Sequence, residues 1–175
     1  MIYFDATLRG DQSSTLPIGN NVYIYPSFSG SFVFSELLKQ SNWMPYGKVR
    51  LSWAQVGSDT DPYQLGLVYT KSKYTYPSYT IGYINNSTMP NKNLKPTKTN
   101  SFEVGFEMKF LQNRIGLDFT YYTQNSKNQI MGMASSWTSG YNYRLINAGE
   151  IENKGIEIAL NTRPIQLKDF SWDLN

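Results

Sequence analysis

The sequence has neither cysteine nor histidine. Their absence removes disulfide scaffolds, zinc centres, thiol nucleophiles and histidine-based triads from consideration. It also lacks an apolar run of the ~18 residues that a membrane-crossing helix needs. Its 16 lysines and arginines are scattered, and a net charge of +3 spread that way makes no basic surface for nucleic acid. What the chain has in quantity is aromatic: 14 Tyr, 9 Phe and 4 Trp in 175 residues. That is rich for a soluble domain and expected where rings sit at a membrane interface. Mean hydropathy is -0.46, which reads as soluble. The average decides little, because barrel strands turn only alternate residues to lipid.

The stretch 99–123, TNSFEVGFEMKFLQNRIGLDFTYYT, carries the clearest pattern. Phe102, Val104, Phe106, Met108 and Phe110 alternate with Ser101, Glu103, Gly105, Glu107 and Lys109. After a turn at Gln112-Asn113, Ile115, Leu117, Phe119 and Tyr121 alternate with Gly116, Asp118, Thr120 and Tyr122. Side chains of a strand point to opposite faces in turn, so each segment has one apolar and one polar face. The predicted hairpin pairs Phe110 with Ile115, Met108 with Leu117, Phe106 with Phe119 and Val104 with Tyr121. A slip of one residue would mix the faces. Glu107 then faces Asp118, with Lys109 diagonally placed to relieve the repulsion.

The same alternation predicts strands at 2–9, 22–35, 48–56 and 155–162, and a last one starting at Phe170, Trp172 and Leu174. Residues 10–21 read as a loop and 36–46 as a connection with a helical turn at 36–40. Residues 57–98 and 125–148 read as long connections, and 164–169 as a short one. About seven strands are therefore joined by connections that alternate long and short. Greek keys of a soluble β-sandwich give no reason for that alternation. An outer-membrane barrel does, with short periplasmic turns and long outer loops. The expected fold is all-β: an antiparallel up-and-down meander of about seven strands, apolar toward lipid and polar toward a lumen. Strand patterns run up to both ends, and seven strands are too few to close a bacterial barrel. The expectation for residues 1–175 is thus an incomplete piece of such a barrel, with signal peptide, plug and barrel C-terminus absent.

Several stretches resemble one known family. They are Tyr25-Pro26-Ser27-Phe28-Ser29-Gly30-Ser31 through Ser35-Glu36; GKVRLSWAQVGSDTDPY at 47–63; Asn93-Leu94-Lys95-Pro96 with Phe102-Glu103-Val104-Gly105; and NAGEIENKGIE at 147–157. Together, in order and over nearly the whole chain, they resemble the barrel of SusC/RagA-type TonB-dependent outer-membrane transporters. The resemblance implies a bacterial outer-membrane location, a barrel of 22 strands around a plug, and import of glycans or peptides. It also implies two partners, the TonB complex acting through the plug region and a SusD-like surface lipoprotein, with outer-membrane lipid around the wall. No cofactor is expected, and no enzyme activity: without histidine or cysteine a hydrolase would need an acid pair or a Ser-Lys arrangement, and nothing in the sequence converges on one. A passive porin barrel and a soluble β-sandwich binding module are the alternatives.

Glu103, Glu107, Asp118 and Glu157 read as lumen charges, paired with Lys109, Arg50 or the plug, rather than as catalytic or metal-ligating carboxylates. Asp59 and Asp61 are too few carboxylates for a calcium site. Asn85 and Asn86 head glycosylation sequons, discounted for a bacterial surface. Tyr69, Tyr83 and Tyr143, and above all Tyr74, Tyr76, Tyr79, Trp137 and Tyr141, are candidate stacking platforms for a sugar or peptide. An aromatic girdle or loop packing is the plainer reading of the same rings.

Overall fold

The computed structural model of the chain describes residues 1–38, 43–76, 79–83, 87–168 and 170–175, and of 74–76 the backbone alone. Twelve strands are present among them. In chain order these are β1 (Ile2–Gln12), β2 (Val22–Val33), β3 (Tyr46–Ser58), β4 (Thr70–Tyr76), β5 (Tyr79–Tyr83) and β6 (Thr88–Met89). Then come β7 (Thr97–Phe110), β8 (Ile115–Lys127), β9 (Ile130–Ala134), β10 (Tyr143–Asn147), β11 (Glu150–Gln166) and β12 (Ser171–Leu174). Seven of them form one sheet in the order β1-β2-β3-β7-β8-β11-β12, with every neighbouring pair antiparallel. The fold is the expected all-β up-and-down meander.

The register of the β7–β8 hairpin is the one the alternation dictates, with Phe110 opposite Ile115, Phe106 opposite Phe119 and Val104 opposite Tyr121. Its turn places Leu111, Gln112 and Asn113 at φ of 50°, 58° and 67°. That left-handed run reverses the chain before Ile115.

Across six strands the alternation lines up into rows. Ile2, Phe32, Val49, Phe106, Phe119 and Ile158 form one continuous apolar row. Phe4, Gly30, Leu51, Val104, Tyr121 and Ile156 form the next. The row between Phe102 and its partners Trp53 and Thr123 is the last apolar one at that end. One step beyond, the same parity holds Gln55, Asn100, Asn125 and Glu152. The apolar band therefore runs from Phe110 to Phe102 on β7. Nine residues at ~3.3 Å each and a tilt of ~40° rise about 23 Å, close to the lipid-facing band of an outer-membrane barrel. Aromatic rings gather at both margins. Phe28 stacks on Trp53 at 5.9 Å on one side, and Trp43 meets Phe110 at 5.3 Å on the other.

Among the described residues no second layer covers this face. Among the described residues the buried apolar side chains are Leu16, Met44 and Leu94, all outside the seven-stranded sheet. Phe4 and Ile158 are 70% and 67% exposed. A β-sandwich would bury both against a facing sheet, so the sandwich alternative fails.

Other expectations need correction. Residues 57–98 are not a bare connection: they contain β4 and β5, paired as a ribbon, and β6. Residues 125–148 hold the end of β8, all of β9 and β10, and a 3-10 turn at Trp137–Ser139. Among the described residues, β5 is exposed throughout and β9 nearly so, and such strands show no alternation to read. The strand expected at 155–162 extends over Glu150–Gln166. Pro164 lies inside it, at a bulge between Thr162 and Ile165, where a proline costs no ladder bond. The strand expected over 22–35 stops at Val33, and the helical turn is a 3-10 turn over Phe34–Leu38. Residues 39 and 40 of the expected turn lie outside the described residues. The Phe34 ring lies over Gly47, where any side chain would collide with it.

Candidate functional site

The polar face of the sheet has its own rows. Tyr3, Ser31, Arg50, Gly105, Thr120 and Glu157 form one, and Asp5, Ser29, Ser52, Glu103, Tyr122 and Gly155 the next. Arg50 lies across Gly105, within reach only because that residue has no Cβ. Its Nη2 donates to Asp118 Oδ1 at 2.7 Å and to Thr120 Oγ1 at 2.9 Å. Glu107 does face Asp118, and two cations share the relief: Arg50 pairs with Asp118, and Lys109 lies 3.9 Å from Glu107 rather than beside Asp118. Glu103 and Glu157 border one shallow hollow on this face with Arg50, Thr120 and Tyr122. Among the described residues no group of three or more metal-ligating side chains converges.

All three longer connections, 13–21, 59–96 and 128–149, leave the same end of the sheet. There they are sewn to one another. The Ser13 hydroxyl donates to Asp59 Oδ2 at 2.5 Å and the Thr15 hydroxyl to the same oxygen at 3.3 Å. Asp59 thus ties the first connection to the end of β3, which is a structural use for a residue considered as a calcium ligand. Strand β6 pairs in parallel with β10, joining the second connection to the third. Asn147 locks that junction. Its Oδ1 accepts from Lys95 N at 2.8 Å, while its Nδ2 donates to Lys95 O at 2.7 Å and to Asn128 O at 3.0 Å. Asn91 Nδ2 adds a bond to Leu145 O at 3.0 Å, and Leu94 beside this junction is fully buried. At the same end Asn125 Nδ2 donates to Glu150 at 2.6 Å, and with Lys127 it holds that carboxyl below the usual glutamate range.

The candidate aromatic platforms belong to these connections. Tyr79 opens β5 and is 71% exposed; Trp137, in the 3-10 turn, is 82% exposed. Tyr141 is half-buried just before β10. Tyr69, Tyr83 and Tyr143 are exposed. The side chains of Tyr74 and Tyr76 lie outside the described residues, as do Asn85 and Asn86; the backbone of the two tyrosines is in β4. Tyr69, Tyr79, Tyr83, Trp137, Tyr141 and Tyr143 thus belong to two connections that leave one end of the sheet and that β6 and β10 hold together. Sequence reasoning missed Asn147 as the clasp and Asp59 as the tie. NAGEIENKGIE marked the first as part of a motif but not its partner, Lys95.

This geometry has counterparts among known proteins. The family model described as TonB dependent receptor-like, beta-barrel matches residues 3–175. The TonB-dependent receptor P3 of Formosa agariphila is 27% identical over 97% of the chain, which spans 17% of that protein. The TonB-dependent receptor SusC of Bacteroides thetaiotaomicron is 29% identical over 98% of the chain, which spans 18% of it. The RagAB peptide importer in its closed-closed state superposes on 97% of the chain with a TM-score of 0.84 at 23% identity. The chain matches 19% of that importer chain, and at this identity the likeness is one of fold.

Proposed function

The chain belongs to the TonB dependent receptor-like β-barrel family, and from that premise we propose that it forms part of the wall of a SusC-like nutrient importer in the bacterial outer membrane. The carrying observation is the two-faced sheet. Its apolar rows lie uncovered over a height suited to lipid, and its polar face carries a half-buried ion pair, Arg50–Asp118. In this reading the apolar face meets outer-membrane lipid and the polar face lines the lumen. The sewn connections stand on the cell exterior, where a SusD-like lipoprotein docks and where Tyr74, Tyr76, Tyr79, Trp137 and Tyr141 meet a glycan or peptide oligomer. Energy enters through the TonB complex, acting on a plug that fills the lumen. The SusC relative and the fold likeness to the RagAB peptide importer support this reading.

The test uses the complete reading frame in its native cells. The polypeptide is expected in the outer-membrane fraction, and uptake of labelled oligosaccharides or peptides is expected to stop on its deletion and on dissipating the proton-motive force. Substitution of Trp137 by Ala is expected to raise the KM of uptake at unchanged outer-membrane level. Uptake indifferent to the proton-motive force would instead make the barrel a passive porin.

A further inference from the structure

On the apolar face one row has a gap. Phe4, Leu51, Val104, Tyr121 and Ile156 all project from it, and between Phe4 and Leu51 stands Gly30 on β2. Ile2, Phe32 and Val49 of the neighbouring row complete the rim of a depression of about 280 Å³ around the glycine. The backbone does not demand glycine there, because Gly30 is not among the glycines with positive φ. Nor does the chain fill the gap. A Cβ at Gly30 would meet nothing nearer than Tyr3 O at 3.9 Å, whereas at Gly47 and Gly105 it would strike the Phe34 ring and the Arg50 side chain. Toward the connections lies a shelf of stacked rings. Phe4 stacks on Phe28 at 6.5 Å and Phe28 on Trp53 at 5.9 Å, with interplanar angles of 25° and 14°.

We propose that this depression holds one acyl chain of a membrane lipid, from the leaflet on the side of the connections; the depth rests on the barrel-wall reading above. Glycine inside a strand weakens it and marks a place where a ligand or another backbone approaches closely. Among the described residues none approaches Gly30 from above, so the approach is from outside the sheet. The floor selects hydrocarbon. At Gly30 strand β2 is paired on both sides, to Phe4 and to Leu51, so the backbone groups of the floor are taken up in the ladders. A ligand bearing hydroxyls or amides would give up water there and find no partners. Methylene groups give up nothing of that kind and gain close contact with Phe4, Phe32, Val49 and Leu51, contacts that an empty depression forfeits. The row of Ile2, Phe32 and Val49 runs through Phe106 in mid-band, and the row of Phe28 and Trp53 is the marginal one. The depression therefore lies at the depth where a bilayer offers acyl chain. A side chain of a second copy would fill the same volume only at one matching height and angle. A flexible tail conforms to it, and tails are present along the whole face. One chain held at Gly30 differs from the fluid lipid that wets the rest of the wall.

The experiment reconstitutes the complete protein in vesicles of phosphatidylethanolamine and phosphatidylglycerol. The vesicles are doped with a phosphatidylethanolamine that carries a photoactivatable diazirine midway along one acyl chain. After illumination, labelling is read by peptide mass spectrometry at residues 2–4 and 49–51, the walls of the depression, and at Tyr121. Tyr121 lies in the row of Gly30 and has side chains, Val104 and Ile156, on both sides. Labelling at the walls is expected to exceed that at Tyr121 at least threefold. Gly30→Leu, whose side chain fills the depression, is expected to bring the two to parity, with Gly30→Ala between. The open space at position 30 lets both variants fold. Heat-modifiable migration on gels checks this, and Gly30→Ala serves as the second arm if leucine hinders assembly. Equal labelling in the unsubstituted protein overturns the proposal and leaves the lipid-facing wall standing. An excess that both variants leave unchanged overturns it as well. So does weaker labelling at the walls than at Tyr121, which would mean that a protein surface, such as a second copy, covers them. No labelling at any of these positions would remove the lipid-facing wall and the site together.

Discussion

Arg50 on β3 and Asp118 on β8 meet at 2.7 Å although β7 runs between them. The guanidinium crosses over Gly105, its own register partner. A Cβ at position 105 would fall 2.4 Å from Arg50 Nε and 2.9 Å from its Cγ. Both atoms sit mid-chain, so the whole side chain would have to leave Asp118. Asp118 would then face Glu107 without its own cation, with only Lys109, on the Glu107 side, left beside the pair. Gly105→Ala is expected to destabilise the folded barrel by about 1 kcal/mol, a modest figure because the pair is a third exposed. A urea titration followed by heat-modifiable gel migration measures it. Arg50→Met should cost a similar amount, and combining the two should add little, since both remove one interaction.

The rows fix depth as well as facing. Phe106 sits in the middle of the apolar band and Phe102 at its margin, two rows away on the same strand and the same face. Arginine on the lipid side costs ~2–4 kcal/mol at the bilayer midplane and ~0–1 near the interfaces. Phe106→Arg in the complete protein should therefore cost several times what Phe102→Arg does, read from refolding equilibria in lipid vesicles. The Phe102 row already tolerates polarity, with Thr123 and Lys154 paired in it. Equal costs at the two positions would place the bilayer elsewhere on the sheet.

How much of this the sequence discloses depends on whether a residue's neighbours differ on its two sides. On β7 and β8 one face meets hydrophobic neighbours and the other polar ones, so period two is written into Phe102–Phe110 and the register follows. Tyr79–Tyr83 on β5 is exposed throughout, and no alternation marks it as a strand. The far ends of β11 hide for a related reason. Glu152 and Lys154 have the parity of Ile156 and Ile158, but Lys154 sits in the marginal row of the apolar band and Glu152 beyond it. The choice of Arg50 over Lys109 as partner of Asp118 was not legible either. It depends on which strand lies on the other side of β7, and on the gap that Gly105 leaves there.

Asn147 makes a different kind of contact, a side chain standing in for a strand. With both amide atoms it pairs to the backbone N and O of Lys95, and it adds a bond to Asn128 O. Asn147→Ala removes all three and leaves the Lys95 backbone to water. Partly exposed bonds of this kind contribute of order 0.5–1.5 kcal/mol each, so losing three is expected to cost roughly 1.5–4.5 kcal/mol of local stability. Hydrogen exchange should show it as faster exchange at Lys95 and along β6 and β10, with the β7–β8 ladder unchanged. Asn147→Asp keeps the acceptor and loses the two donated bonds, so its exchange at Lys95 should lie between the other two proteins.

The polypeptide of residues 1–175, expressed by itself, presents the apolar rows without lipid. Ile2, Phe4, Leu8, Ile156 and Ile158 are each more than half exposed, and β1 and β12 end the sheet with unpaired ladder groups. Contiguous exposed apolar surface of this kind drives association, and open edges template strand addition. Here both act on the same seven strands. The polypeptide is therefore expected to form inclusion bodies or large aggregates in water and to be recovered dispersed only with detergent or lipid. Analytical ultracentrifugation in plain buffer checks this. A stable monomer there would mean that the rows of Phe106 and Ile158 are covered in solution by some rearrangement of the chain, and the assignment of that face to lipid would fall with it.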